Sequence, residues 1–402
     1  MPIGRFVAAI GSCFFTALAA GQATAPPELL ELPKIAFPEP KLVEETELGA
    51  QYEVEFPSAY QTRYPENNRV PVRLFEPANG PKPAPAVVIT HYWGASDLRP
   101  EIALANNLMQ RGVASAILTL PYHISRTPAG SHSGEMAIQP DPGKLIAMMT
   151  QSELDIRRTL DFLDSRPEID HSRYGLVGIS LGALVSGLAF ALDPRVYVSS
   201  FVLGGADIAH ILWSSSRVIP QREELRKLGW TEAKLRRALA VIEPLSYLPR
   251  KAPSRTLVIY GRFDTVVPRA DTVKLENALD HPSVIGLDTG HYGGVFIQSK
   301  VLRTVADFFG QEMQGKTFVA PPELSGPTLR IGALAGYPTG LDLGVGIDFV
   351  HFDRPGNFFG SLFVTPRGLR ILLDRKITAG FSAGIEGSTR GVGVGLLWST
   401  VL

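Results

Sequence analysis

Ser180 stands in the stretch GLVGISLGALVSG (175–187), two residues after Gly178 and two before Gly182. A serine hydroxyl is a poor nucleophile unless a base takes its proton, and the base works best when an acid holds it. Asp264 follows the run RTLVIYGRF and leads into Val266-Val267-Pro268; His291 follows SVIGLDTG and precedes Tyr292-Gly293-Gly294. Together the three could attack a carbonyl carbon and hold its acyl group on Ser180 while the leaving group departs. Each also has a plainer reading: a turn with an incidental serine, a solvated loop carboxylate, a packed loop histidine. Asp207 and Asp288 are rival acids, the second close to His291 along the chain. Of the other histidines, only His281 and His351 follow the acid.

RYGLVGI before Ser180 reads as a strand and ALVSGLAFAL after it as a helix. A sharp strand-to-helix turn needs small residues on both sides of the nucleophile, and Gly178 and Gly182 supply them. The same turn aims the Leu181 backbone N–H at a developing oxyanion, with the positive helix end beneath it. The second donor is expected from THYWGAS (90–96), where His91 opens the loop and the N–H of Tyr92 or Trp93 would face the pocket, Trp93 being preferred. Tyr92 is also a candidate pocket residue. So are Tyr122 and His123 in LPYHISR (120–126), as substrate contacts or as loop packing.

The elements that must place these residues are short apolar runs rich in β-branched residues: RVPVRLF, APAVVIT, ASAILTL, RYGLVGI, VYVSSFVL, RTLVIY and SVIGL. Continuous rather than alternating apolar runs suit strands covered on both faces. Helical patterns separate them. Residues 100–111 end at Gly112, and Ser152 is a possible cap for a helix whose Ile156, Leu160 and Leu163 share one face before Pro167. The expected class is α/β, a doubly wound, mostly parallel sheet over 68–314, with Ser180, Asp264 and His291 all at the carboxyl edge. Residues 205–253 read as a helical, lid-like insertion in which Thr231 caps a helix carrying Leu235, Leu239 and Ile242. Residues 26–67 are expected to be an extended lead-in.

Over 315–402 the texture changes to glycine-rich runs of period two separated by YPTG, DRPG, TPRG and EGSTRG, an antiparallel β module of five or six strands. In KITAGFSAGIE, Ile377, Phe381 and Ile385 alternate with Thr378, Ser382 and Glu386. So few strands fall short of the roughly eight of a single-chain membrane barrel. An accessory domain that packs on the catalytic unit, or binds substrate or a surface, is the preferred reading; membrane association is the alternative.

The chain of 402 residues has 39 Lys plus Arg against 39 Asp plus Glu, so no net charge draws it to nucleic acid. Arg5, the run FVAAIGSCFFTALAA and Ala23-Thr24-Ala25 read as a signal peptide over 1–25, which implies export to the periplasm or the medium. Lipoprotein processing at Cys13 is an alternative; a spanning anchor is disfavoured because the run is short of about 20 residues. Cys13 is the sole cysteine, so the mature chain would form no disulfide. With no cysteine cluster, no H-E-x-x-H and no phosphate loop, no metal or cofactor is expected.

GISLGA (178–183), GRFDTVVP (261–268), TGHYGG (289–294) and THYWG (90–94) together resemble the α/β-hydrolase superfamily over about 70–312. HSRYGLVGISLGA and EPLSYLPR…APSRTLVIYGRFD are most similar to its dienelactone hydrolase and acetyl-esterase-like branches. The resemblance implies a serine hydrolase in which Ser180, Asp264 and His291 form the triad. A small-molecule or polymeric ester is the implied substrate, with a peptide or amide as the alternative. Tyr92 stands where the family's oxyanion loop commonly has glycine. A non-catalytic surface protein that works through its β module is the competing class.

Overall fold

The computed structural model describes residues 32–251, 254–321, 323–324, 328–352, 358–378 and 381–401. The expected signal peptide lies outside them. In chain order, β1 (Lys41–Thr46), β2 (Gly49–Pro57), β3 (Arg69–Pro77), β4 (Ala84–Thr90), β5 (Ala114–Leu118), β6 (Ile169–Ile179), β7 (Val196–Val202), β8 (Arg255–Gly261), β9 (Ser283–Leu287) and β10 (Glu323–Leu324) build a ten-stranded sheet. Its order is β1-β2-β3-β5-β4-β6-β7-β8-β9-β10, antiparallel from β1 to β5 and parallel from β5 to β10.

The helices are α1 (Arg99–Met109), α2 (Pro142–Asp164), α3 (Leu181–Leu192), α4 (Ile208–Ser214), α5 (Ile219–Lys227), α6 (Glu232–Leu239), α7 (Arg269–Ala278) and α8 (Gln298–Glu312). They cover both sides of the sheet, so successive residues of a central strand enter different cores. Val88 of β4 packs with Leu145, Leu160 and Leu188 of α2 and α3, whereas Val87 and Ile89 pack with Leu104, Leu108 and Val305 of α1 and α8. This two-sided burial is why the strand sequences are apolar throughout.

Three sequence expectations change. Ser152 lies in the middle of α2, where its hydroxyl donates to the Met148 carbonyl (2.8 Å). The cap is Asp141, whose carboxylate accepts from Gly143 and Lys144 N–H. The 26–67 segment is no mere lead-in, because β1 and β2 extend the sheet through β3. KITAGFSAGIE is not one strand but two, with residues 379–380 between them outside the described residues. Thr231 does cap α6, accepting from Lys234 N–H.

The C-terminal module is a closed antiparallel barrel of six strands: β11 (Thr328–Tyr337), β12 (Gly340–Phe352), β13 (Phe358–Thr365), β14 (Gly368–Thr378), β15 (Phe381–Ser388) and β16 (Gly391–Val401), with β16 pairing back onto β11. Its polarity is inverted. Arg330 faces Asp348 (2.8 Å) and Asp374 (3.4 Å) inside the barrel, and Arg370 faces Asp342 (2.7 Å) and Glu386 (3.4 Å). Leu334, Phe363, Leu372 and Leu397 form a small buried apolar cluster in the same interior.

Candidate active site

The end of β6 turns into α3 through Ser180, which adopts φ +55° and ψ −113°. A non-glycine residue in this region is strained and must be held by its surroundings. Here Ser180 N–H donates to the Val202 carbonyl (2.8 Å), and the Ser180 carbonyl accepts from Ala183 N–H (2.9 Å). Both flanking glycines are forced by proximity. A Cβ on Gly178 would lie 2.2 Å from the Gly182 carbonyl oxygen, and one on Gly182 would lie 2.4 Å from that of Thr90.

The loops after β8 and β9 deliver the partners. His291 Nε2 is 2.8 Å from Ser180 Oγ, and His291 Nδ1 is 2.7 Å from Asp264 Oδ2. Asp264 Oδ1 accepts from the N–H groups of Val266 and Val267, both at 2.8 Å. With one carboxylate oxygen fixed by backbone, the other is left to face the imidazole, so Nδ1 carries the proton and Nε2 is free to accept one from serine. The rival acids lie elsewhere: Asp207 caps α4 and pairs with Arg236 (2.7 Å) and Lys274 (2.8 Å), and Asp288 faces Arg262 (3.6 Å).

Leu181 is the first residue of α3, and neither its N–H nor that of Trp93 has an acceptor among the described residues. Trp93 borders both cavities at Ser180, and Leu181 the smaller of them. The larger, about 350 Å³ and mainly apolar, also contains His291, Tyr92, Tyr292 and Arg217. The smaller, about 60 Å³, lies beside Ser180 against Met149, Leu184, Ile211 and Leu212. Arg217 comes from the 205–253 insertion and borders both; its guanidinium lies 5.0 Å from the Trp93 ring and 5.7 Å from that of Tyr292. It has no carboxylate partner among the described residues. No sequence pattern marks it, because its role depends on where the insertion folds back.

Tyr122 and His123 line neither cavity. Tyr122 packs edge-on against Tyr64. His123 instead fixes the Trp93 loop: its Nε2 accepts from Gly94 N–H (3.0 Å) while Nδ1–H donates to the Pro121 carbonyl (2.8 Å). His91 makes the reciprocal tie, Nε2 accepting from Leu120 N–H (3.0 Å) and Nδ1–H donating to the Tyr92 carbonyl (2.9 Å). Both rings must therefore be neutral. Burial, aided by the nearby Arg126 charge and, for His91, by the facing His123 ring, lowers the His91 pKa to about 3 and that of His123 to about 4.

A depressed histidine pKa contributes stability that is complete above the unfolded value near 6.5 and is lost as pH falls toward the folded value. Glu101 and Glu153, raised by burial to about 7 and about 8, act in the opposite sense. The readout is therefore a difference. Thermal midpoints measured by circular dichroism from pH 7.5 to 4.5 are expected to fall more steeply below pH 6.5 for the native chain than for His91→Asn/His123→Asn. Equal slopes would remove the two histidines as the acid-sensitive ties.

A parallel sheet with helices on both faces, a strained serine at the turn after β6, and an acid and a histidine just past the ends of the parallel strands β8 and β9 together define the architecture. The larger domain has the α/β-hydrolase fold. Among solved structures, the acetyl xylan esterase from Paenibacillus sp. R4 superposes on the chain with a TM-score of 0.55 at 20% identity, over 77% of this chain and 97% of that one. The acylaminoacyl peptidase of Pyrococcus horikoshii gives 0.52 at 13% identity, over 71% of this chain and 44% of its own. No protein-family model and no curated protein matches the chain. At these identities the likeness concerns the fold of the hydrolase domain, and it assigns no family to the barrel.

Proposed function

We propose that the protein is an exported serine hydrolase that cleaves carboxylic esters. The observation that carries this reading is the unbroken hydrogen-bonded series from Ser180 Oγ through His291 to Asp264. Ser180 Oγ attacks the ester carbonyl as its proton passes to His291 Nε2. The Leu181 and Trp93 amides receive the charge that develops on the carbonyl oxygen. Collapse of the tetrahedral adduct breaks the bond to the alcohol, which leaves with the proton from His291. Water, deprotonated by the same nitrogen, then releases the acid and restores Ser180. Asp264 keeps the tautomer and stabilises the imidazolium throughout.

The two cavities support a division of the substrate. The smaller apolar one takes a short acyl group, and the larger takes the alcohol moiety, with Arg217 at its boundary to meet an oxygen-rich or anionic group. Periplasmic or secreted location rests on the N-terminal sequence alone. Labelling of the purified chain with a fluorophosphonate tests the nucleophile: one equivalent is expected on the peptide that contains Ser180. Absence of label, or label mapped to another serine, removes the reading. Parallel assays with short-chain acyl esters and aminoacyl amides then separate an esterase from a peptidase that uses the same residues.

A further inference from the structure

The barrel carries its ion pairs inside and its aliphatic side chains outside, the reverse of a domain that folds in water. Among the described residues, seventeen exposed large apolar side chains lie on the barrel and eight on the rest of the chain. They are not confined to one side. Ile331, Leu343, Val364, Ile371, Ile385 and Val394, one from each strand, are between 45% and 70% exposed. The apolar band therefore closes on itself around the barrel.

We propose that this band is embedded in a lipid bilayer. A protein partner docked against one face would leave the remaining strands wet, whereas lipid surrounds a cylinder on every side. Six strands are fewer than the roughly eight of a single-chain membrane barrel that encloses its own core, but this one is closed, with its interior filled by ion pairs and a small apolar cluster. With β16 paired to β11 no strand edge is left open, the condition for β-structure in hydrocarbon. The strands run from 8 to 13 residues, which brackets the roughly 9–11 that a tilted strand uses within a membrane. The interior charges are paired with one another, so the barrel need not offer them to its surroundings.

The barrel also has two unlike rims. The turns that join β11 to β12, β13 to β14 and β15 to β16 are tight, and Arg390, together with Arg367, which also meets Asp342 (3.4 Å), stands exposed on them. These cations suit anionic phosphate headgroups. At the opposite end Asp348, paired in register with Thr328, lies close enough to Asp288 of the hydrolase domain to interact with it electrostatically, and β11 meets the turn Gly293–Ile297 beside His291. The tight-turn rim therefore enters the membrane first and the hydrolase domain stays at its surface.

Vesicles of phosphatidylethanolamine and phosphatidylglycerol (the probe membrane) and the purified full chain provide the test. The chain is expected to float with the vesicles through a density gradient and to resist extraction by alkaline carbonate. Leu343→Arg/Val394→Arg, two outward positions far from Ser180 along the chain, should remain at the bottom of the gradient with an unchanged far-ultraviolet circular dichroism spectrum. If that variant does not fold, Trp398 serves instead, since it points outward and is 62% exposed. Lipids brominated on the acyl chain should quench part of the native tryptophan emission, and this quenching should be lost in Trp398→Phe. A native chain that stays monomeric in buffer and does not float overturns the proposal. So does one that forms discrete dimers without lipid and is not quenched, which would assign the band to a second copy of this chain.

Discussion

Ser180→Ala is expected to hydrolyse a short acyl ester roughly 10⁵–10⁶-fold more slowly than the native chain, and Asp264→Asn roughly 10⁴-fold more slowly. The second value is the more informative, because asparagine fits the same space. Asp264 Oδ1 accepts from two backbone N–H groups, so the carboxamide oxygen of asparagine must take that position. Its NH₂ then faces His291 Nδ1, which can meet a donor only as an acceptor. The imidazole proton moves to Nε2, and the ring can no longer accept from Ser180. The loss should appear in kcat with little change in KM, and thermal stability should be nearly unchanged. Steady-state kinetics of Asp264→Asn within tenfold of native would exclude Asp264 as the orienting acid.

Arg126→Met is expected to lower stability by about 3–5 kcal/mol, roughly a 10 °C fall in thermal midpoint. Arg126 and Asp155 are completely buried and their charges meet at 2.8 Å. Arg126 also donates to the carbonyls of Thr119 and Asn67, and Asp155 accepts from Ser58. These contacts join α2 to the loop that carries His123 and to the segment before β3. Burial raises the Asp155 pKa even with the guanidinium beside it. Removing the arginine alone leaves a buried carboxylate without its counter-charge, which accounts for the expected penalty. Arg126→Met/Asp155→Leu should recover most of the loss. If the double variant is as unstable as the single, the penalty comes from the severed backbone contacts rather than from the orphaned charge.

The parts of this molecule most legible in its sequence are those where one physical requirement dominates. Apolar runs such as APAVVIT suit strands covered on both sides, and small residues flanking Ser180 suit a turn in which backbones approach closely. Other parts depend on context that a linear pattern does not carry. The middle of α2, from Met148 to Ile156, is buried on every side, so that stretch shows no amphipathic stripe and the sequence pattern places the helix start at Ser152 instead of at Asp141. β1 is exposed along its whole length and so lacks the alternation that would mark it. In the barrel the period of two was readable, but the period does not say which set of side chains faces inward. For His123, a residue before a loop reads alike whether it touches substrate or anchors the backbone, and only the Gly94 contact distinguishes the two.

The backbone at Ser180 also restricts which nucleophile this domain can carry. With φ at +55°, the position admits a side chain with a single heavy atom on Cβ, but a second branch would crowd the adjacent carbonyls. Threonine offers the same hydroxyl and is nevertheless excluded by conformation, whereas cysteine would fit and replace oxygen with sulfur. Under the proposed mechanism the turn thus acts as a filter on reaction chemistry: it admits an oxyester or a thioester intermediate and disfavours a threonine nucleophile before any question of reactivity arises.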